Sequence, residues 1–300
     1  MAWRVAVVLA VAVALSACAS HKVRPSAQGA NAAASAASAG DASISDNIQL
    51  SQDERYRLQH DGGPDHPEVD ISTLPEPVPK VEPRSRYGNM SSYEVNGKTY
   101  HVLPSAKGYD ERGIASWYGN KFNGYLTSSM ERYDMYKFSA ASKVLPLPTY
   151  ARVTNLANGK SVIVRVNDRG PFVPNRIIDL SYAAAVRIGI WPKGTGMVEV
   201  QAIDPAHPGE LSTPPIVRDD GVRHGIWLQV GAFADDANAR RVANRLRRAD
   251  LAPVQVSQVT SQGRHLTRVR LGPLPDAAAA DRISAAVQRL GLPAPQVAVD

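Results

Sequence analysis

Cysteine is almost missing from this chain: its 300 residues contain one, at position 18. A lone cysteine excludes an intramolecular disulfide and any zinc site built on a cysteine cluster. Aromatic residues are few, at 6%. No apolar run reaches the roughly 17 residues that a membrane-spanning helix needs. The seven histidines are scattered without ligand spacing, so no metal is expected. No dinucleotide fingerprint, P-loop or Ser-His-Asp elbow occurs, so no cofactor is expected either. What is present is ordinary: 44% hydrophobic and 21% charged residues, at a length that suits about two domains plus linkers.

The cysteine's position matters more than its count. Arg4 supplies a positive start, Val5 to Leu15 form a short apolar run, and small residues follow, which reads as an export signal over residues 1–17. Leu15-Ser16-Ala17-Cys18 resembles the bacterial lipobox, which implies lipidation of Cys18 and a membrane anchor there. Ala19 and Ser20 then favour an outer-membrane address facing the periplasm. Residues 18–90 read as a tether. Gln28 to Asn47 is Ala/Ser/Gly-rich with no apolar period, and Pro64 to Pro83 carries six prolines that stiffen the chain.

From residue 91 to 203 short strand-like runs alternate with turns, opening on the hairpin signal Asn96-Gly97. The runs include Gly113 to Tyr118, Tyr150 to Val153, Ser161 to Val166 and Val198 to Ile203, with one short helix from Ser181 to Ile188. So many short strands predict a small, mainly-β barrel or sandwich. A Pro/Gly-rich linker covers 204–221.

Residues 222–300 hold a weak internal repeat, strand-helix-strand twice, with Asp236 and Asp276 available as helix N-caps. The expectation is a βαββαβ module with a four-stranded sheet and both helices on one face. This module has 11 Arg against 6 Asp with no Lys or Glu, so +5 of the chain's +6 lies here. Its topology and charge also suit RNA. An exported chain meets none, and no RNP-like aromatic cluster is present, so no nucleic-acid partner is expected.

Polar chemistry concentrates in Thr127 to Tyr136 and in Arg165-Val-Asn167-Asp168-Arg169-Gly170-Pro171. The carboxylates Glu131, Asp134 and Asp168 lie beside turns, with Trp117, Tyr118 and Tyr125 near in sequence. Carboxylic acids that protonate a glycosidic oxygen, with flat rings against sugar faces, suit carbohydrate work. The alternative is structural: an Asp before Arg-Gly-Pro is often a turn residue, and strand aromatics often fill a core.

Gly113-Ile-Ala-Ser-Trp-Tyr-Gly119, the Glu131/Asp134 cluster, Val164-Arg-Val-Asn-Asp-Arg-Gly-Pro171 and Ile178-Asp-Leu-Ser-Tyr-Ala-Ala-Ala185 resemble the RlpA (rare lipoprotein A) family. Ile226 to Phe233 and Arg268 to Pro273 resemble the SPOR signature. The resemblance implies a double-psi β-barrel followed by a SPOR domain. It implies endolytic lytic transglycosylation, the cleavage of MurNAc–GlcNAc bonds to 1,6-anhydroMurNAc ends. Asp168 would be the acid, with Glu131 and Asp134 as orienting groups or alternative acids. Trp117, Tyr118, Ser142 and Arg169 would bind substrate in the barrel; Gln229, Arg268 and Arg270 would contact peptide-free septal glycan in the SPOR module. Partners would be peptidoglycan, the membrane and the division machinery.

Three positions depart from the family pattern. Met130 stands where the family has Gly, Ser142 where it has His, and Asn123 where His is frequent. A Gly before Glu131 permits a positive φ at no steric cost. The departures raise a second expectation, a non-catalytic septal glycan-binding lipoprotein that tethers outer membrane to wall.

Overall fold

The computed structural model describes residues 50, 52–64, 69–207, 226–261 and 263–298. The expected export signal, Cys18, the Ala/Ser-rich half of the expected tether and most of the expected 204–221 linker lie outside these residues.

A one-turn helix, α1 (Gln52–Arg55), precedes a hairpin of β1 (Ser92–Val95) and β2 (Lys98–His101). Asn96 and Gly97 both take positive φ between them, as the Asn-Gly pair predicts. Six strands follow: β3 (Asp110–Tyr118), β4 (Ser139–Ser142), β5 (Thr149–Asn155), β6 (Ser161–Asp168), β7 (Arg176–Ser181) and β8 (Gly196–Ala202). They close into a barrel in the order β3-β7-β4-β6-β5-β8. The β3/β7 and β4/β6 pairs are parallel and the other four antiparallel. Alternation explains the core. Val162, Val164 and Val166 of β6 point inward with Ile178 and Leu180 of β7 and Val198 and Val200 of β8, all essentially sealed from solvent. Helix α2 (Tyr182–Arg187) starts where the Ser181 hydroxyl accepts the Ala184 N–H at 3.2 Å.

The C-terminal module is the expected sheet, β10 (Val254–Ser261), β11 (Arg264–Leu274), β9 (Ile226–Phe233) and β12 (Gln296–Ala298) in that spatial order, all antiparallel. Helices α3 (Asp236–Ala249) and α4 (Ala277–Arg289) pack Ala239, Ala243, Leu246, Ala280 and Val287 against Leu228, Val269 and Leu271. Asp276 caps α4 as expected. The α3 cap is Asp235 rather than Asp236, which bonds instead to the Thr267 hydroxyl on β11. Arg176 of the barrel forks onto Asp281 of α4, and the Asn175 amide donates to the Ser284 hydroxyl at 2.9 Å.

The proline-rich part of the expected 18–90 tether does not stand free. Arg55 donates to Leu126 O at 3.0 Å, and Asp61 accepts the Gly119 and Lys121 N–H groups at 2.9 and 3.0 Å. Ile71 is buried in the barrel core, with Val69 and Leu74 against it. Glu76 accepts the Ile163 N–H at 2.9 Å, and Ser85 N–H donates to Leu147 O at 2.8 Å. The physical reason is that prolines stiffen a segment wherever it goes. A chain with less freedom to lose is laid down on a surface more cheaply, and interspersed carboxylates and apolar residues supply the attachment points.

Candidate active site

Asp168 ends β6, and its Oδ1 accepts three hydrogen bonds: Ser128 N–H at 2.8 Å, Ser128 Oγ–H at 2.7 Å and Arg169 N–H at 2.7 Å. No bond to Oδ2 occurs among the described residues. Burial pushes the carboxyl above its ordinary range, against the pull of these donors and of the Arg55 charge. Ser128 comes from the β3–β4 loop, which is itself pinned. Tyr133 donates its hydroxyl to Tyr118 O at 2.6 Å, and the Asn123 side chain accepts the Met135 N–H at 2.9 Å. Met130 in this loop has φ +67°, so a side chain occupies a left-handed position that favours glycine.

Glu131 faces the same site but is committed differently. It accepts Arg165 Nη1 at 2.6 Å and Asn167 Nδ2 at 2.8 Å, while Arg165 also forks onto Glu82 at 3.0 Å through Nε and Nη2. Burial raises the Glu131 pKa, but the Arg165 and Asn167 bonds and the Arg165 charge outweigh it, and the net shift is downward. Glu131 is therefore an anion that orients Arg165 and Asn167, and a poor proton donor near neutrality. Asp134 accepts the Tyr136 N–H at 3.0 Å and sits 3.7 Å from Lys137, as the side chain of a local turn. The structure does not bring it into the hydrogen-bond shell of Asp168.

Several expected substrate-binding side chains turn inward. Tyr118 is 6% exposed and stacks on Tyr133 with centroids 4.2 Å apart. Trp117 packs edge-on against Trp191 at 4.9 Å and against Tyr182. The two project to opposite faces of β3: Tyr118 is covered by Tyr133 of the 119–138 loop, and Trp117, partly buried, packs against Tyr182 of α2 and against Trp191. Ser142 is 1% exposed, and its hydroxyl accepts the Val144 and Leu145 N–H groups at 3.3 and 3.1 Å. Arg169 donates to Gly88 O at 2.7 Å, Ser142 O at 3.0 Å and Leu145 O at 2.5 Å, and lies 5.7 Å from the Tyr93 ring centre. These two hold the 85–93 segment and the 142–147 turn against the barrel. A half-buried guanidinium with several carbonyl acceptors is a structural clamp.

In the C-terminal sheet, Gln229 pairs with Arg270 across β9 and β11, and Gln255 and Gln296 extend the row on either side. Arg268 lies opposite Ser257. The alternation that buries Leu228, Val269 and Leu271 against the helices puts Gln229, Arg268 and Arg270 on the other face, where Gln229 and Arg268 are partly exposed but Arg270 is buried, at 4% exposure.

Ser128, Arg165 and Asp179 lie within motifs that the sequence singles out but to which it gives no role, and Arg55 lies in the segment read as tether; Asp179 also stands out as a lone carboxylate within the apolar strand Ile177-Ile178-Asp179-Leu180.

The fold and site define a class: a carboxylate-bearing double-psi-type barrel joined to a basic sheet-and-helix module. Comparison with known proteins agrees. Residues 110–202 match the model of a lytic transglycolase domain, and residues 223–297 match the SPOR domain. The endolytic peptidoglycan transglycosylase RlpA of Pseudomonas aeruginosa is 39% identical over 291 residues, covering 79% of this chain and 85% of that one. The RlpA of Vibrio cholerae is 40% identical over 222 residues, covering 74% and 81%. Among solved structures, the RlpA SPOR domain from P. aeruginosa is 35% identical and covers 25% of this chain and 97% of that one, with a TM-score of 0.24. The chain belongs to the RlpA family.

Proposed function

We propose that this chain is an endolytic peptidoglycan lytic transglycosylase of the cell envelope, with Asp168 as its acid and base. The supporting observation is the state of Asp168, a carboxyl lifted by burial, with three donors on Oδ1 and none on Oδ2 among the described residues. Its proton passes to the glycosidic oxygen as the bond from that oxygen to C1 of MurNAc breaks. The C6 hydroxyl of the same sugar attacks C1, and its proton returns to the Asp168 carboxylate. The products are a 1,6-anhydroMurNAc end and a free GlcNAc hydroxyl, with no water consumed. One carboxyl serves both steps because the second begins in the protonation state that the first leaves. The donors on Oδ1 stabilise the anion between the steps.

The finer reading is that the SPOR module places the barrel on peptide-free septal glycan, with Cys18 lipidated at the outer membrane. Stripping the stem peptides frees lactyl carboxylates, which suit an Arg-bearing sheet face.

A second reading, glycan binding without cleavage, is favoured by one observation: Ser142 caps its own turn and offers no imidazole to the carboxylates. Incubating the purified chain with peptide-free glycan and analysing the ends by mass spectrometry separates the two. Release of anhydro ends that is lost in Asp168→Asn is the expected result. Glycan binding by a folded chain without anhydro ends overturns the enzyme reading.

A further inference from the structure

The turn that presents Ser128 to Asp168 is anchored at its far end by a chain of ion pairs. Within the turn the Thr127 N–H donates to Glu131 O at 2.8 Å and the Met130 N–H to Thr127 O at 2.9 Å, which holds Ser128 and Glu131 in one unit. Met130 takes a positive φ inside it. A side chain in that region persists only where the surroundings over-determine the backbone. Strand β6 supplies that constraint at two places. Ser128 gives its N–H and hydroxyl to Asp168 Oδ1 at 2.8 and 2.7 Å, and Glu131 accepts from Arg165 Nη1 at 2.6 Å and Asn167 Nδ2 at 2.8 Å.

Arg165 is itself placed by Glu82, which precedes the barrel strands and lies in the stretch expected to be tether. Both Glu82 oxygens are engaged. Oε1 accepts from Arg165 Nε and Oε2 from Nη2, each at 3.0 Å, and the Tyr150 hydroxyl of β5 also donates to Oε1. A carboxylate that takes two guanidinium nitrogens side by side fixes the plane of the guanidinium as well as its position. With that plane set, the remaining nitrogen, Nη1, is the one that meets Glu131. The Arg165 and Glu82 side chains are 21% and 20% exposed, so the pair is screened less than a surface pair. The Arg165 bonds hold the Glu82 carboxyl below its ordinary range despite burial, with help from Tyr150, so Glu82 is an anion near neutrality.

We propose that Glu82 is a positioning residue for the glycan-cleaving site: through Arg165 and Glu131 it holds the 127–131 turn so that Ser128 stays on Asp168. The proposal rests on Asp168 being the acid. Glu82 acts through Arg165 and forms no bond with the sugar. The consequence for Asp168 has a definite sign. Donors on a carboxylate favour its charged form, so a turn that drifts and takes Ser128 away raises the Asp168 midpoint, whereas loss of a nearby negative charge alone lowers it. The charged and titratable groups acting with Asp168 are Arg55 and Tyr56 of the N-terminal segment, Tyr93 of β1, Tyr118 of β3, Asp179 of β7 and Arg169. All of them are kept in a Glu82 variant.

Glu76 provides the comparison. It also pins the N-terminal segment to the barrel, accepting the Ile163 N–H at 2.9 Å and Arg187 Nη1 at 3.3 Å. Neither partner bonds to the 127–131 turn among the described residues.

The test uses the intact chain with Glu82→Gln, Arg165→Lys and Glu76→Gln. Glutamine keeps the length of Glu82 but offers one acceptor oxygen, and lysine keeps the charge of Arg165 but cannot fork. The Asp168 carboxyl carbon is followed by NMR titration, and anhydro-end release from peptide-free glycan by mass spectrometry. In Glu82→Gln and Arg165→Lys the Asp168 midpoint is expected to rise by about 0.5–1 pH unit. In both, kcat at the pH optimum is expected to fall about three- to tenfold, the rate equivalent of that shift, because the anion between the two steps loses donors. Glu76→Gln is expected to change neither, whatever it does to the melting temperature. An Asp168 midpoint that falls or stays in place in Glu82→Gln overturns the proposal, as does an unchanged kcat or an equal response in Glu76→Gln. Should Glu82→Gln not fold, Arg165→Lys decides by the same criteria. If the wild type releases no anhydro ends, the enzyme reading fails, and the midpoint still decides whether Glu82 holds the turn.

Discussion

Met130 offers a test of how the loop over Asp168 is built. Its N–H donates to Thr127 O at 2.9 Å and the Thr127 N–H donates to Glu131 O at 2.8 Å, closing a tight turn that leaves Met130 at φ +67°. A non-glycine residue in this region costs about 1–2 kcal/mol. Replacing it with glycine removes that cost but frees the unfolded chain, which returns about 0.5–1 kcal/mol. The side chain is 42% exposed, so truncation also forfeits part of the 1.5–3 kcal/mol that a fully buried methionine contributes. Met130→Gly against wild type therefore sums to roughly zero and decides little. The informative comparison is Met130→Gly against Met130→Ala. Both lose the same packing, and only alanine keeps the conformational cost. The glycine variant should be more stable by about 0.5–1 kcal/mol, a Tm difference of about 1–4 °C for a chain of this size. Calorimetry of the two variants at one pH measures it. Equal midpoints, or alanine above glycine, would refute the claim that the turn itself imposes the positive φ. The Glu131–Arg165 bond should persist in both, because it is made by the next residue and does not use the Met130 side chain.

Stability should carry the signature of Asp179 independently of catalysis. Its folded value of about 6 lies above the ordinary 3.8, so the folded state holds the proton more tightly, and stability falls as pH rises from about 4 through 6. Asp179→Asn should gain up to about 3 kcal/mol over wild type at pH 7.5 relative to the same comparison at pH 4, by urea unfolding; a difference independent of pH contradicts the shift. The Arg176–Asp281 fork should couple the barrel to the SPOR module, since the Arg176 side chain is 7% exposed and Asp281 is 33% exposed. Asp281→Ala should cost about 1–3 kcal/mol, less than a fully buried pair because separation lets water reach Arg176. It should also split one calorimetric transition into two; an unchanged single transition would show that the bridge carries no coupling.

How much of this was legible in the sequence depends on whether the determining information is local. Alternation along Ser161 to Val166 predicts a half-buried strand, and Val162, Val164 and Val166 do face the core. Asn96-Gly97 predicts its hairpin and Asp276 its cap, because each acts on backbone only a few residues away. The glycine that the resemblance leads one to expect at position 130 agrees with the positive φ of Met130, again a local matter. Burial of Trp117 and Tyr118 is different. An aromatic residue has the same sequence appearance whether it lies under a loop or at a groove, and only the course of residues 119–138 decides. Arg169 shows the same limit: its charge suggests a ligand, yet its partners are carbonyls at positions 88, 142 and 145.

The prolines of residues 64–83 were readable as stiffness but not as destination. Whether a stiff segment spans a gap or lies against a barrel depends on matches such as Glu76 to Ile163, made 87 residues apart. The carboxylate pair is the extreme case. Asp168 and Asp179 stand 11 residues apart in sequence on strands that are not neighbours, and they come to one level of the sheet only because β4 runs between β6 and β7 with Ala141 in register with both. Strand order and register are properties of the closed barrel, so no window along the chain contains them. A feature assembled that way can be found only by following the pairing.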